Sequence, residues 1–146
     1  MIVYKKKKSE FLEDIDTGGI GDIVSKAVSS VLGMRVGPSE KKSWENSLEY
    51  MGQVLVPSDV SLDSIVAIEY LIPRTSNRID FLISGKDSQG VSNLLIIELK
   101  QWSEAERTNE DAIVQTRIGS GLRRVVHPSY QAWSYASLLH GFNEAV

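Results

Sequence analysis

The sequence predicts an α/β fold, in which a sheet containing an antiparallel three-stranded meander is flanked by helices. Three observations carry this. Trp44, Leu48, Met51 and Leu55 recur at spacings of four, three and four, the apolar stripe of a surface helix. The segment Ser64 to Ile72 is rich in β-branched residues and runs into the turn residues Pro73 to Asn77, so a hairpin follows. The run from Leu94 to Leu99, apolar but for Glu98, covers both faces of a sheet and reads as a central strand with helices on each side.

From the amino terminus, Lys5 to Lys8 read as a solvated terminus, with phosphate contact as the alternative. Gly18, Gly19 and Gly21 read as a turn, because no strand precedes them and their spacing is not GxGxxG. Asp22 caps a helix through Ile23, Ala27, Val28 and Val31 that stops near Gly33. Pro38 and Ser39 open the striped helix, and Pro57, Ser58 and Asp59 end it. The meander strands are Ser64 to Ile72, Arg78 to Ser84 and Leu94 to Lys100, the last two joined by a Gly-, Asp- and Ser-rich loop. Beyond Trp102, SEAERTNED is a polar loop or short helix, and AIVQTRI is a further strand before the Gly119-Ser120-Gly121 turn. His127-Pro128-Ser129 opens a last helix with Gln131, Tyr135, Leu138 and Phe142 on one face. One domain over 1–146 is expected, with 1–37 a helical extension and 38–146 the core.

Composition excludes several classes. Of the 146 residues, 42% are apolar and 24% charged, the balance of a soluble globular domain. There is no cysteine, which removes disulfide scaffolds, thiolate zinc sites and cysteine nucleophiles together. No apolar run has signal-peptide form or approaches the ~20 residues of a membrane span, so no membrane partner and a cytoplasmic location are expected. The net charge of −3 means that any nucleic-acid contact must rest on local patches.

The chemistry lies where polar residues interrupt apolar strands. Side chains alternate along a strand, so Glu98 and Lys100 project to one side, about 6.5–7 Å apart. A loop centred near Gln89 makes paired residue numbers sum to about 178, which sets Asp80 opposite Glu98, while a slip of one residue turns Asp80 to the other face. Two carboxylates converging in this way suit Mg²⁺, which keeps waters and substrate phosphate oxygens in its shell. The ammonium of Lys100 would then add positive charge at the reacting phosphate. The alternative is a buried ion pair, a costly route to stability.

Asp80 followed by Glu98-Leu99-Lys100 resembles the PD-(D/E)XK nuclease superfamily, and Gln131-Ala-Trp-Ser-Tyr135 resembles the QxxxY element of its RecB-like branch. The likeness runs from about Ser39 to Phe142, with Ile79 in place of the family's proline before the aspartate. It implies a restriction-endonuclease-like core with a central mixed sheet, and metal-dependent hydrolysis of DNA. Asp80, Glu98 and the Leu99 carbonyl would bind Mg²⁺ or Mn²⁺, Lys100 would assist the attacking water, and Gln131 and Tyr135 would orient substrate and metal ligands. The wider segment is similar to nuclease domains that precede helicase domains in bacterial fusion proteins, so a helicase partner or domain is expected. RNA is the alternative substrate. A catalytically inactive nucleic-acid-binding or scaffold domain is the alternative function.

The superfamily often adds a carboxylate from the helix before the sheet. Glu40 lies nearest the Trp44–Leu55 stripe and is chosen as a metal ligand, whereas Glu45 and Glu49 fall to the solvent side. Glu69 either joins the site or partners Arg78. Arg117, Arg123 and Arg124 flank a turn where they can grip phosphates, and His127 is a helix cap or a further phosphate contact. His140 reads as surface. Trp102 and Trp133 read as buried aromatics, with base stacking as the alternative.

Overall fold

The computed structural model describes residues 1–143, without the side chains of Phe142 and Asn143. Its elements are β1 (Ile2–Lys7), α1 (Lys8–Asp16), α2 (Ile20–Leu32), α3 (Pro38–Leu55), β2 (Ile65–Leu71), β3 (Arg78–Lys86), β4 (Ser92–Ile97), β5 (Ala105–Arg107), β6 (Ile113–Ile118), β7 (Gly121–Val126) and α4 (Pro128–Asn143). Among the described residues the chain is α/β, with four helices and two antiparallel sheets, and it divides into two compact units, Met1–Ile97 and Glu98–Val146. Both sheets are antiparallel throughout, where a mixed sheet was expected. No described helix is long and apolar enough to cross a membrane.

The first unit carries the order β1-β2-β3-β4, and its last three strands are the expected meander. Pairs from Lys86↔Ser92 to Phe81↔Ile97 keep the residue sum of 178 that a loop centred on Gln89 dictates. Asp87 fixes that loop. Its Oδ1 accepts from the Gln89 and Val91 amides at 2.9 Å each, and its Oδ2 accepts from Asn93 at 3.1 Å. The Val91 amide does most to hold the Asp87 carboxyl below its ordinary range. The expected central position of the third strand is corrected. β4 stops at Ile97 and lies at the end of the sheet order, and Leu94 and Leu95 are each 54% exposed. An apolar run states that burial is possible but not that a neighbour is present.

The lysine run is also corrected, because Lys5, Lys6 and Lys7 are strand residues of β1, paired with Ala67, Val66 and Ile65. Lysines at a sheet edge block further strand addition, so a β1 rich in them is physically consistent. Lys8 starts α1 and is buried, its Nζ donating to Val60 O at 2.7 Å and to the Ser58 hydroxyl at 3.2 Å. Segment 1–37 therefore supplies a strand as well as helices.

The apolar stripes behave as their periods require. Trp44, Leu48, Met51 and Leu55 of α3 are buried, as are Ile20, Val24 and Val28 of α2. Gly33 ends α2 in the left-handed region at φ 65°, a conformation that suits a residue without Cβ. Gly21 has a different reason. A Cβ there would collide with Glu45 Cγ, so α2 and α3 approach closely only because residue 21 is glycine. Glu45, expected on the solvent side, thus faces α2. Phe11 of α1 meets Phe81 of β3 edge-on at 5.5 Å between centroids, both with no exposed surface.

The second unit carries β5-β6-β7. Its β6 is the expected strand, whereas β5 comes from a segment read as polar loop or short helix, and β7 from a segment of which only Gly121 carried a structural expectation, as part of a turn. Thr116 of β6 is fully buried and donates to Glu104 O at 2.6 Å. In α4, Tyr135 is buried as its stripe requires, but Leu138 is 38% exposed, and the Phe142 side chain lies outside the described residues.

Candidate active site

On β3, Ile79, Phe81 and Ile83 point to one side and are buried, so Arg78, Asp80 and Leu82 point to the other. Asp80 is half-buried there. Around it the first unit collects charge. The Trp44 Nε1–H donates to Glu69 Oε1 at 2.9 Å, Arg78 pairs with Glu69 Oε2 at 2.8 Å, and Glu40 stands 3.9 Å from Arg78. Of the two readings left open for Glu69, the pairing with Arg78 is present. Glu40 also faces Arg78 as an ionic neighbour.

Glu69 has two unusual properties. It sits inside a strand at φ 55°, a left-handed conformation costing on the order of 1 kcal/mol for a residue with Cβ. Burial drives its carboxyl above the ordinary range. The Trp44 bond and Arg78 oppose that rise, and the charges of Asp80 and Glu40 add to it. A carboxyl that holds its proton more tightly when folded stabilises fully below its unfolded pKa of about 4.3, and that contribution fades as pH rises through the raised folded value. Glu69→Gln, neutral at every pH, should therefore gain stability relative to the parent over a pH range rising from about 4. Urea midpoints across that range check this, and a difference independent of pH would contradict it.

In the second unit Lys100 Nζ lies 2.6 Å from Glu98 Oε1, with only 3% of the Glu98 side chain and 27% of the Lys100 side chain exposed. Alternation predicted this shared side, although residues 98–100 are not strand. On α4, Gln131 Nε2 donates to the Tyr135 hydroxyl at 2.8 Å, which brings together the two residues singled out on one helical face. That bond leaves the tyrosine's own proton to be donated elsewhere.

The basic candidates separate. Arg117 pairs with Glu104 at 3.0 Å and Arg124 with Glu110 at 2.9 Å, while Arg123 is exposed opposite Thr116. His127 is the cap of α4: its Nδ1 accepts from the Ser129 amide at 3.1 Å. His140 is exposed, as expected, and Trp102 is half-buried. Trp133, expected to be buried, is 61% exposed and touches Tyr130, itself 50% exposed, at 5.5 Å. Tyr130 was not singled out from sequence, although its spacing of three from Trp133 places both on one helical face.

The donor types suit a hard cation. Among the described residues no three His, Cys, Asp or Glu side chains gather to form a metal cage. A pair of carboxylates with a backbone carbonyl is nonetheless the protein share typical of Mg²⁺, which retains water and phosphate oxygens. No family model, no curated protein and no solved structure matches the chain.

Proposed function

We propose that the chain is a Mg²⁺- or Mn²⁺-dependent nuclease that hydrolyses phosphodiester bonds of DNA, built on a restriction-endonuclease-like core and working with a helicase domain or partner. The observation that carries this reading is the β3–β4 register. Pairs from Lys86↔Ser92 to Phe81↔Ile97 keep the residue sum of 178 on which the choice of Asp80 is based, and this supports the reading. The 2.6 Å contact of Glu98 with Lys100 supports it further, because a carboxylate and an ammonium side by side are what a metal-assisted hydrolysis uses.

In this proposal Asp80, Glu98 and the Leu99 carbonyl hold the ion. The bound cation would supply Lewis acidity toward the scissile phosphate and lower the pKa of a water. Lys100 adds fixed positive charge where negative charge develops and orients the attacking water through its N–H donors. Tyr135, its oxygen engaged by Gln131, presents its proton to a phosphate oxygen.

Plasmid, short single- and double-stranded DNA and an RNA strand, each incubated with Mg²⁺, with Mn²⁺ and with EDTA, test the reading. Cleavage is expected in either metal and none in EDTA. Absence of cleavage in all three would leave a silent nucleic-acid-binding domain, and cleavage of RNA alone would transfer the activity to that substrate.

A further inference from the structure

We propose that the end of the first unit's sheet away from Asp80 carries a binding site for a phosphate group, free or as a phosphomonoester, in which Ser61, Ser64, Ser84, Ser92 and Lys86 supply the donors. The inference goes beyond the nuclease reading and does not rest on it. Ile65 pairs with Ser84 and Lys86 with Ser92, so the start of β2, the end of β3 and the start of β4 meet there. An open cleft of about 420 Å³ lies among them, lined by these residues together with Asp63 and Gly85. Gly85 is five residues from Asp80 on β3, about 17 Å of strand, so the cleft is a place of its own.

Ser64 is the residue that points to a ligand. It is only 6% exposed, yet among the described residues its hydroxyl has no hydrogen-bond partner, and it lines the cleft. Buried hydroxyls are normally satisfied, so an unmatched one opening on a cleft is a donor held ready. Gly85 makes room for it: a Cβ at residue 85 would stand 2.6 Å from Ser64 Oγ, closer than such atoms approach. The Ser61 hydroxyl keeps its own proton to donate, because its oxygen accepts from the Asp63 amide at 3.2 Å. Charge sets the sign of the ligand. Asp63 is paired with Lys7 at 2.7 Å, whereas Lys86 is exposed and has no ion pair among the described residues, which leaves the cleft one ammonium in excess. Hydroxyls arriving from four chain positions beside an ammonium suit a tetrahedral oxyanion, whose oxygens point in as many directions, better than a planar carboxylate.

Calorimetric titration of inorganic phosphate into the full chain tests the site, with EDTA present so that no metal-held phosphate enters the measurement. Saturable binding is expected, and acetate at the same ionic strength should bind more weakly. A nucleoside 5′-monophosphate run beside its nucleoside separates the two sources: tighter binding than inorganic phosphate identifies a phosphomonoester, and binding no tighter identifies the free ion. Ser64→Ala should weaken phosphate roughly 10- to 150-fold, the worth of a hydrogen bond to a charged group. Its urea midpoint should stay at the parent's value, since the hydroxyl it loses has no partner in the protein. Gly85→Ala should weaken binding as well, by pressing on the same hydroxyl. Lys86→Gln, on the exposed rim, should cost roughly 2- to 5-fold without touching the fold. Absence of saturable phosphate binding, acetate bound as tightly as phosphate, or affinity unchanged in both Ser64→Ala and Lys86→Gln would overturn the proposal.

Discussion

Lys100→Ala should lower the rate of DNA cleavage about 10²- to 10³-fold, the usual loss when one fixed donor to a developing oxyanion is removed. Its ammonium lies 2.6 Å from Glu98 with about a quarter of its side chain in water, so it can turn from the carboxylate to a substrate oxygen without unfolding its surroundings. The substitution also strips a partner from a carboxylate that is almost wholly covered, and such removal destabilises. Lys100→Gln separates the two effects, since it keeps an N–H donor beside Glu98 and removes only the charge. Both variants should lose activity under single-turnover conditions, and the Gln variant should keep the parent's melting temperature. Activity within threefold of the parent in the Gln variant would remove Lys100 from the chemistry.

Phe81→Ala should cost the first unit about 3–5 kcal/mol, the range for deleting a buried phenylalanine. The ring has no exposed surface, meets Phe11 at 5.5 Å and lies on the rung that joins Ile68 to Ile97. Domains of this size are stable by about 5–15 kcal/mol, so the loss is a large fraction of the whole. A drop in urea midpoint of that size, with the slope preserved, is the expected result. A loss below about 1 kcal/mol would mean that the Phe11–Phe81 contact does not organise this core.

Much of the first unit was legible because its signals are periodic and local. The α3 stripe buried the four residues it named, and the β3–β4 register followed from the loop composition around Gln89. Lys5 to Lys7 misled because edge strands accept lysine, so charge there says nothing against a strand. β5 was missed because AER is too short to mark a strand and β7 because GLRRVV lacks the alternation, and pairing with β6 is what makes them strands. In the candidate site, alternation named Glu98 and Lys100 as neighbours, but the strand it assumed stops at Ile97, and the 2.6 Å contact between them was not read. Nor was the left-handed Glu69, for nothing in Ala67-Ile68-Glu69-Tyr70 requires a positive φ. Exposure of Trp133 was hidden as well, because a tryptophan at helical spacing reads the same whether its helix face is covered or bare.

Glu69 also bears on how the sheet is held. Its left-handed backbone removes one rung: β2 pairs with β3 at 65–68 and again at 70–71, with the same residue sum on both sides and no pair at 69. The ladder is two zippers joined by one residue, and the shorter one includes Arg78 and Ile79. The four pairs at Ile65–Ile68 and the two at Tyr70–Leu71 are thus the units on which the β2–β3 ladder is held, and Arg78 and Ile79 belong to the smaller.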